Sequence, residues 1–294
     1  SGSLGGSGAL DKIGNGSLTL AGSNSHTGAT TVSGGTLLVN GSLASSSVTV
    51  ASGATLGGSG SLGGAVTVAD GASLTLRGGD TLSVGSLVLN DTSNLNAALG
   101  SALSGQSSLL NVAGNLTLDG RLNVTDTGGF GAGVYRLIDY TGSLINNGLT
   151  INTLPNGVQL SDVLLQTAVN NQVNLVVGGL GNVLFWDGSQ VIGNGTVEGG
   201  YGVWESGNSN WTNLNGTLNQ NWNNTFAVFQ GTPGNVVVNG AQTISGLQFV
   251  SDGFALNGGA GGQLLTSGTT IVRVDNGSTG TVGVAINGSG TLSK

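Results

Sequence analysis

Two stretches of the sequence repeat one pattern: residues 48–56 read VTVASGATL and residues 66–74 read VTVADGASL. Residues 30–38, TTVSGGTLL, are a third copy at the same spacing along the chain. In each copy apolar residues alternate with Thr or Ser, the pattern of a strand with one buried face, and glycines separate the strands. A period this short, built from strands without a helix, predicts turns of a parallel β-solenoid whose rungs stack about 4.8 Å apart.

The constant spacing of the copies also predicts which side chains stack from rung to rung. It superposes three sets of positions: Val32, Val50 and Val68; Gly35, Gly53 and Gly71; and Leu38, Leu56 and Leu74. Ten Asn-Gly pairs mark further turns, and we interpret most of them as solenoid corners in the left-handed conformation. Asn side chains stacked between rungs would add hydrogen bonds along the axis.

The rest of the chain keeps the short-strand pattern with less regular spacing. We therefore predict an all-β fold, a right-handed parallel β-helix with roughly 18–22 residues per rung. The chain is expected to form one continuous segment: regular rungs at 1–90, less regular rungs at 91–182, a Trp- and Asn-rich stretch of irregular rungs or an excursion at 183–235, and regular rungs at 236–294. GSGALDK near the start recurs as GSGTLSK at the end, so we expect a piece of a longer repetitive protein.

Composition narrows the classes of function. Glycine accounts for 58 of 294 residues, only 6% of residues are charged, and the net charge is −7. A nucleic-acid partner is not expected, because phosphate binding needs a cationic surface. The absence of cysteine excludes disulfides, thiolate zinc sites and cysteine nucleophiles. No run of about 18 apolar residues occurs, so direct membrane insertion is not expected.

Residues 6–43 carry a recognisable repeat motif. The positions that carry it are Leu10, Lys12, Gly14, Gly16, Leu18, Leu20, Gly22, Asn24, Gly28, Thr30, Val32, Gly35, Thr36 and Leu37. On these residues the segment resembles the autotransporter-associated β-strand repeat, or passenger-associated transport repeat, of Gram-negative autotransporters. His26 departs from the pattern, because the family usually has Tyr there.

This resemblance implies a location and a role. It implies a passenger segment that is exported through the outer membrane to the bacterial cell surface and precedes a C-terminal outer-membrane β-barrel of the same polypeptide. It further implies a non-enzymatic stalk or adhesin that acts in cell attachment or self-association. Surface glycans or proteins would be its partners, and no cofactor is expected.

Two motifs that could indicate catalysis or nucleotide binding have a simpler structural interpretation. His26 is the only histidine, so a Ser-His-Asp triad would need it, but no Gly-x-Ser-x-Gly elbow is present. Gly58, Gly60 and Gly63 match Gly-x-Gly-x-x-Gly, yet a strand-like AVTV follows where a dinucleotide site needs a helix. We interpret the histidine as structural and the glycines as a solenoid corner.

Five charged residues lie close together in the sequence: Asp119, Arg121, Asp126, Arg136 and Asp139. The first and the last are about one rung apart, so the aspartates could form the carboxylate pair of a carbohydrate-active β-helix enzyme. The other interpretation is Arg–carboxylate ion pairs between rungs, and we favour it because both signs of charge are present.

All four tryptophans fall in the stretch 183–235: Trp186, Trp204, Trp211 and Trp222. Together with Tyr201, Phe226 and Phe229 they could offer flat faces to sugars, which would make this stretch a glycan-binding module. Alternatively they form a small core of their own, which we favour because large aromatic side chains are usually well buried.

The remaining aspartates give no metal pattern. Asp252-Gly253 and Asp275-Asn276-Gly277 are interpreted as simple turns, since a lone Asp commonly initiates one. No tandem Gly-Gly-x-Gly-x-Asp repeats occur, so the calcium sites of another β-solenoid family are not predicted.

Overall fold

The computed structural model describes residues 2–44, 47–100, 108–178, 183–275 and 277–294. Of these, residues up to 130 together with 136–158 form one compact unit, unit 1, and residues 131–135 together with those from 159 onward form a second, unit 2. Within the described ranges, no helix has the length and apolar character needed to cross a membrane.

Short strands dominate both units. Up to residue 158 they are β1 Leu10–Lys12, β2 Ser17–Leu20, β3 Ser23–Asn24, β4 Thr30–Val32, β5 Thr36–Val39, β6 Ser42–Leu43, β7 Ser47–Val50, β8 Thr55–Gly57, β9 Ser61–Val68, β10 Ser73–Arg77, β11 Leu82–Leu89, β12 Asn94–Leu99, β13 Leu110–Val112, β14 Leu116–Leu118, β15 Arg121–Asp126, β16 Gly133–Tyr140, β17 Leu144–Asn146 and β18 Thr150–Thr153.

Beyond residue 158, the chain forms one short 3₁₀ turn, Leu160–Asp162, followed by further strands. These are β19 Val163–Gln166, β20 Gln172–Val177, β21 Val183–Trp186, β22 Gly202–Trp204, β23 Trp211–Thr212, β24 Asn219–Gln220, β25 Phe226–Phe229, β26 Asn235–Val238, β27 Ala241–Phe249, β28 Phe254–Gly258, β29 Gln263–Val274, β30 Gly280–Gly283 and β31 Ala285–Ser293.

Unit 1 is a parallel β-solenoid, as predicted. One sheet runs β1-β4-β7-β9-β11-β13-β16 and a second runs β2-β5-β8-β10-β12-β15-β18, with parallel pairing throughout. The shorter strands β3, β6, β14 and β17 also pair in parallel, as branches of the first sheet. Val32 pairs with Val50 and Val50 with Val68, and all three side chains are fully buried. The sequence repeat is therefore one turn of the solenoid.

Two details of the predicted register differ from the structure. Leu56 pairs with Leu37 rather than with Leu38, because the turn between Val32 and Leu37 is one residue shorter than its counterpart in the next rung. A slip of one residue exchanges the faces of a strand, so Leu37 is fully buried and Leu38 is only half-buried. Rungs also become longer than predicted along the chain. Leu95 pairs with Leu122, a much wider step than that from Val50 to Val68, because the connections between strands lengthen.

Glycines occupy the corners. Gly35, Gly53 and Gly71 have φ of 62°, 77° and 72°, the left-handed region that only glycine adopts without strain. In most of the Asn-Gly pairs it is likewise the glycine that takes positive φ, although Gly16, Gly41 and Gly258 do not; Asn171 and Asn224 are the only non-glycine residues for which the described chain shows it. Asn276 lies outside the described residues.

Asparagine side chains stack along the strands. Asn152 Nδ2 donates to Asn123 Oδ1 at 2.7 Å, and Asn123 Nδ2 donates to Asn96 Oδ1 at 2.9 Å. The predicted asparagine stacking therefore occurs, but on the strands β12, β15 and β18 rather than at the Asn-Gly corners.

In the Gly-x-Gly-x-x-Gly motif, Gly58 and Gly60 form a corner that leads into β9, as predicted, whereas Gly63 lies within β9. The motif offers a test of close stacking. Gly60→Ala is expected to destabilise unit 1 by about 1–3 kcal/mol, because an added Cβ would lie 2.0 Å from Gly41 O. Gly63→Ala is the matched control, since its Cβ would meet no atom closer than 3.9 Å. Thermal unfolding followed by circular dichroism compares the two variants, and equal losses would contradict the stacking argument.

Unit 2 contains parallel stacks and one long connection. One sheet stacks β21-β25-β27-β29-β31 and another stacks β22-β26-β28-β30, with parallel pairing throughout. Because β21 pairs directly with β25, residues 187–225 form a long connection between two adjacent rungs. Within it, β23 pairs antiparallel with β21 and with β24. Strands β19 and β20 form a further antiparallel pair.

Candidate functional site

Three tryptophans of the long connection pack with Trp186 of β21 in one core. Trp186, Trp204 and Trp211 are fully buried, and Trp222 packs against them while partly buried. Ring centroids lie 4.8 Å apart for Trp204 and Trp211, which meet edge to face. No set of coplanar exposed rings exists among these four, so the hypothesis of a tryptophan platform for sugars is wrong and the core interpretation is confirmed.

Two of these indoles also tie the connection to the stack. Trp186 Nε1 donates to Gly200 O at 2.9 Å, and Trp222 Nε1 donates to Thr243 O on β27 at 2.8 Å. A buried indole N–H usually needs such an acceptor. The connection is thus held to the solenoid by both packing and hydrogen bonds.

The predicted carboxylate cluster is dispersed over local contacts. Asp119 Oδ1 accepts from Gly120 N at 2.8 Å, and Asp126 Oδ1 accepts from Gly128 N at 2.6 Å. Asp139 lies 3.7 Å from Arg136 Nε, and its neighbour on the adjacent rung is Asn111 rather than Asp119. The structure therefore does not bring these carboxylates together as a glycosidase pair. Arg121 is the first residue of β15 and is exposed. Its backbone is paired with that of Asn94 on the adjacent rung.

The other single residues have structural roles. His26 is buried, with Nε2 3.0 Å from Thr30 Oγ1. Asp252 Oδ1 accepts from Thr279 N at 2.7 Å and so links two turns. The interpretation of Asp275 as a simple turn residue is wrong, because it is 2% exposed and lies 3.0 Å from Arg273 Nε.

The long connection contains an acidic pair that was not predicted from the sequence. Asp187 is 1% exposed; its Oδ1 accepts from Glu198 N and its Oδ2 from Asn219 Nδ2, both at 2.9 Å. Asn194 Nδ2 donates to Glu198 Oε1. Burial first, and then the adjacent Glu198 side chain, raise the pKa of Asp187 from 3.8 to about 6. The signal in the sequence was an acidic residue directly after the uninterrupted apolar strand β21.

A groove of about 420 Å³ lies beside this pair in unit 2. It is lined by the segment that leads into β20 with the first residue of that strand, part of the long connection, the turn after β25 and the second residue after β27. These residues are Ala168, Val169, Asn170, Gln172, Thr196, Val197, Glu198, Gly231, Thr232, Pro233 and Ser251. Among these eleven residues Glu198 alone is charged. The groove thus combines an apolar surface with neutral hydrogen-bonding side chains, an arrangement suited to an uncharged polar ligand.

No metal centre accompanies the groove. Across the part of the chain that the structure describes, no three His, Cys, Asp or Glu side chains lie close enough to hold a metal ion.

The acidic pair predicts a pH-dependent stability. Above about pH 6 both the folded and the unfolded chain ionise Asp187, and folding must bury that charge; below about pH 4 neither state is ionised. The contribution of Asp187 to stability is therefore highest in acid and is lost as the pH rises through this window. Asp187→Asn cannot ionise, so its melting temperature should exceed that of the native chain at pH 7 by more than at pH 4.

Tryptophan fluorescence during thermal unfolding at the two pH values measures this difference, because Asp187 directly follows Trp186 and its backbone N–H donates to Asn210 O, next to Trp211. Asp162→Asn is a suitable control, since that carboxylate is only locally bonded, accepting from Gln159 N. A difference between Asp187→Asn and the native chain that does not change with pH would contradict the assignment.

The fold defines a class: a parallel β-solenoid of short repeated rungs whose candidate groove lies on loops of unit 2. Residues 10–39 match the family model of the passenger-associated-transport repeat. The chain is also 40% identical over 234 residues to the adhesin BmaC autotransporter of Brucella suis biovar 1 (strain 1330). That match covers 73% of this chain and 6% of the relative's length.

The two matches agree with the resemblance found in the sequence. They support an autotransporter passenger domain with repeats, and they support export to the cell surface through the outer membrane. Both predictions are confirmed. Because the chain spans only 6% of the relative's length, the match assigns no activity, substrate or partner to this chain.

Proposed function

We propose that this chain is a non-enzymatic passenger segment that acts as a stalk or adhesin in cell attachment or self-association. The observation that carries the proposal is the 40% identity, over 73% of the chain, to a relative that is named an adhesin. The dispersed positions of Asp119, Asp126 and Asp139 support it further, because they offer no catalytic arrangement. As the family implies, a C-terminal outer-membrane β-barrel of the same polypeptide would anchor the segment.

The mechanism is mechanical and collective. Each rung satisfies its backbone hydrogen bonds on the next, while Leu and Val fill the interior. Rungs that contact only their neighbours can fold one after another as they emerge, without a chemical energy source. Repeated polar groups on a weakly charged exterior would make many weak contacts with a surface, and such contacts gain strength by multivalency.

Surface display tests the proposal. The chain is fused to an outer-membrane β-barrel on a non-adherent, non-aggregating bacterium, and attachment to cultured epithelial cells and sedimentation of the bacteria are both measured. Bacteria that display the chain should attach or aggregate several-fold more than bacteria with the barrel alone. Equal attachment and equal sedimentation at matched display density would contradict the proposal.

A further inference from the structure

We propose that the groove in unit 2 binds a short, uncharged saccharide, which would give the adhesive segment a specific ligand; this inference rests on the proposed function. The volume of about 420 Å³ lies within the range of small-ligand sites, roughly 300–1,000 Å³. The loops that form the groove are carried by stacked strands, and binding residues are commonly held in this way.

The first support is a set of side chains with unused hydrogen-bonding capacity. Asn170, Thr196, Thr232 and Ser251 line the groove, and within the described parts of the chain none of their side chains has a hydrogen-bond partner. Hydroxyl and amide groups can both donate and accept, as sugar hydroxyls do. The groove therefore offers the mixed donors and acceptors that a polyol requires.

The second support is an oriented donor at the groove wall. Gln172 Oε1 accepts from Gln230 Nε2 at 3.2 Å and from Asn174 Nδ2 at 3.3 Å, and both donor residues are fully buried. These bonds fix the amide oxygen of Gln172 towards the interior and leave its Nε2 free to donate to a ligand. Such preorganisation reduces the entropy lost on binding.

The interior side of this arrangement also suggests a site rather than ordinary packing. Gln230 Oε1 and Asn174 Oδ1 are buried and have no hydrogen-bond partner. Unsatisfied buried acceptors are uncommon in folded proteins and call for a specific explanation. Gln230 donates its amide to Gln172, whereas Asn174 Nδ2 is shared between Gln172 and Gln166 Oε1, which lies 3.0 Å away.

Charge and shape select the class of saccharide. Pro233 is exposed at the groove and offers an apolar surface to the C–H face of a sugar ring, while Val169 and Val197 lie buried beneath it. Glu198 is the only charged lining residue and no cation faces it among the residues described, so a sulfated or sialylated glycan would find no counter-charge. The chain's net charge of −7 disfavours such anions as well.

The test uses the purified chain and immobilised oligosaccharides. Galactose-, mannose- and N-acetylglucosamine-terminated neutral glycans are compared with sialylated glycans and heparin. Gln172→Glu keeps the acceptor for Gln230 and Asn174 but replaces the free donor with a carboxylate, while Thr196→Ala combined with Thr232→Ala removes two hydroxyls. Each variant should bind the neutral glycans about tenfold more weakly, as expected for lost hydrogen bonds.

Thr281→Ala, at an exposed position of β30 outside the groove, is the matched control and should bind like the native chain. Thermal unfolding of every variant confirms that it is folded. Binding only to the anionic glycans, no glycan binding, or neutral binding that both groove variants retain would each overturn the inference. If displayed bacteria attach while the purified chain binds no neutral glycan, the groove assignment is wrong and the proposed function stands. If the purified chain binds neutral glycans but displayed bacteria neither attach nor aggregate, the groove assignment stands and the proposed function is wrong.

Discussion

Replacing Trp211 with alanine is expected to lower the free energy of unfolding of unit 2 by about 3–5 kcal/mol. Trp211 is fully buried, and its ring lies 4.4 Å from Trp222, 4.8 Å from Trp204 and 5.2 Å from Trp186. Its removal would leave a cavity that three other large rings border, and two of them, Trp186 and Trp222, are held by their own hydrogen bonds and cannot easily close it.

Urea denaturation followed by circular dichroism measures the loss. Tyr201→Ala is the control, because Tyr201 is an aromatic residue of the same connection that is 75% exposed, and its replacement should change stability by no more than about 0.5 kcal/mol. If Trp211→Ala left stability unchanged, the ring would not be part of a core, and the interpretation of all four tryptophans would have to be revised.

The solenoid could be predicted because its signal is local and repeated. Val50 and Val68 occupy the same position in successive rungs, and the strands of both rungs have the same alternation of buried and exposed residues. The face occupied by Leu37 could not be predicted in the same way, because it depends on the length of one turn. Turn lengths vary without altering the pattern of the strands, so periodicity alone misplaced this register by one residue.

The candidate groove could not be predicted, because it depends on how separate loops meet. Gln172 and Gln230 are 58 positions apart, and neither lies in a recognisable motif. Asp119 and Asp139 looked like neighbours only because a constant rung length was assumed, and the lengthened rungs place Asn111 beside Asp139 instead. The aromatic core, in contrast, followed from composition, since four tryptophans in a chain with few aromatic residues tend to pack together.

The buried ion pair of unit 2 is the second place where a single substitution should have a large effect. Arg273 and Asp275 are each 2% exposed, and Arg273 lies over the ring of Tyr135 at 5.3 Å. Gln248 Nε2 donates to Asp275 Oδ1 at 2.9 Å and to Val134 O at 2.9 Å. The pair thus belongs to a polar network inside the unit, where removal of one charge leaves the other in a poorly solvated environment.

Arg273→Met is expected to lower the free energy of unfolding by about 3–5 kcal/mol, because Asp275 would remain buried without its cation. The double variant Arg273→Met with Asp275→Asn should recover a large part of this loss, since Asn keeps an acceptor for Gln248 and carries no charge. Urea denaturation of both single variants and the double variant gives the coupling between the two sites. If the losses in the free energy of unfolding of the two single variants add up to that of the double variant, the two groups do not stabilise one another. If the double variant is more stable than Arg273→Met, the unpaired carboxylate of Asp275 is the cause of the lost stability.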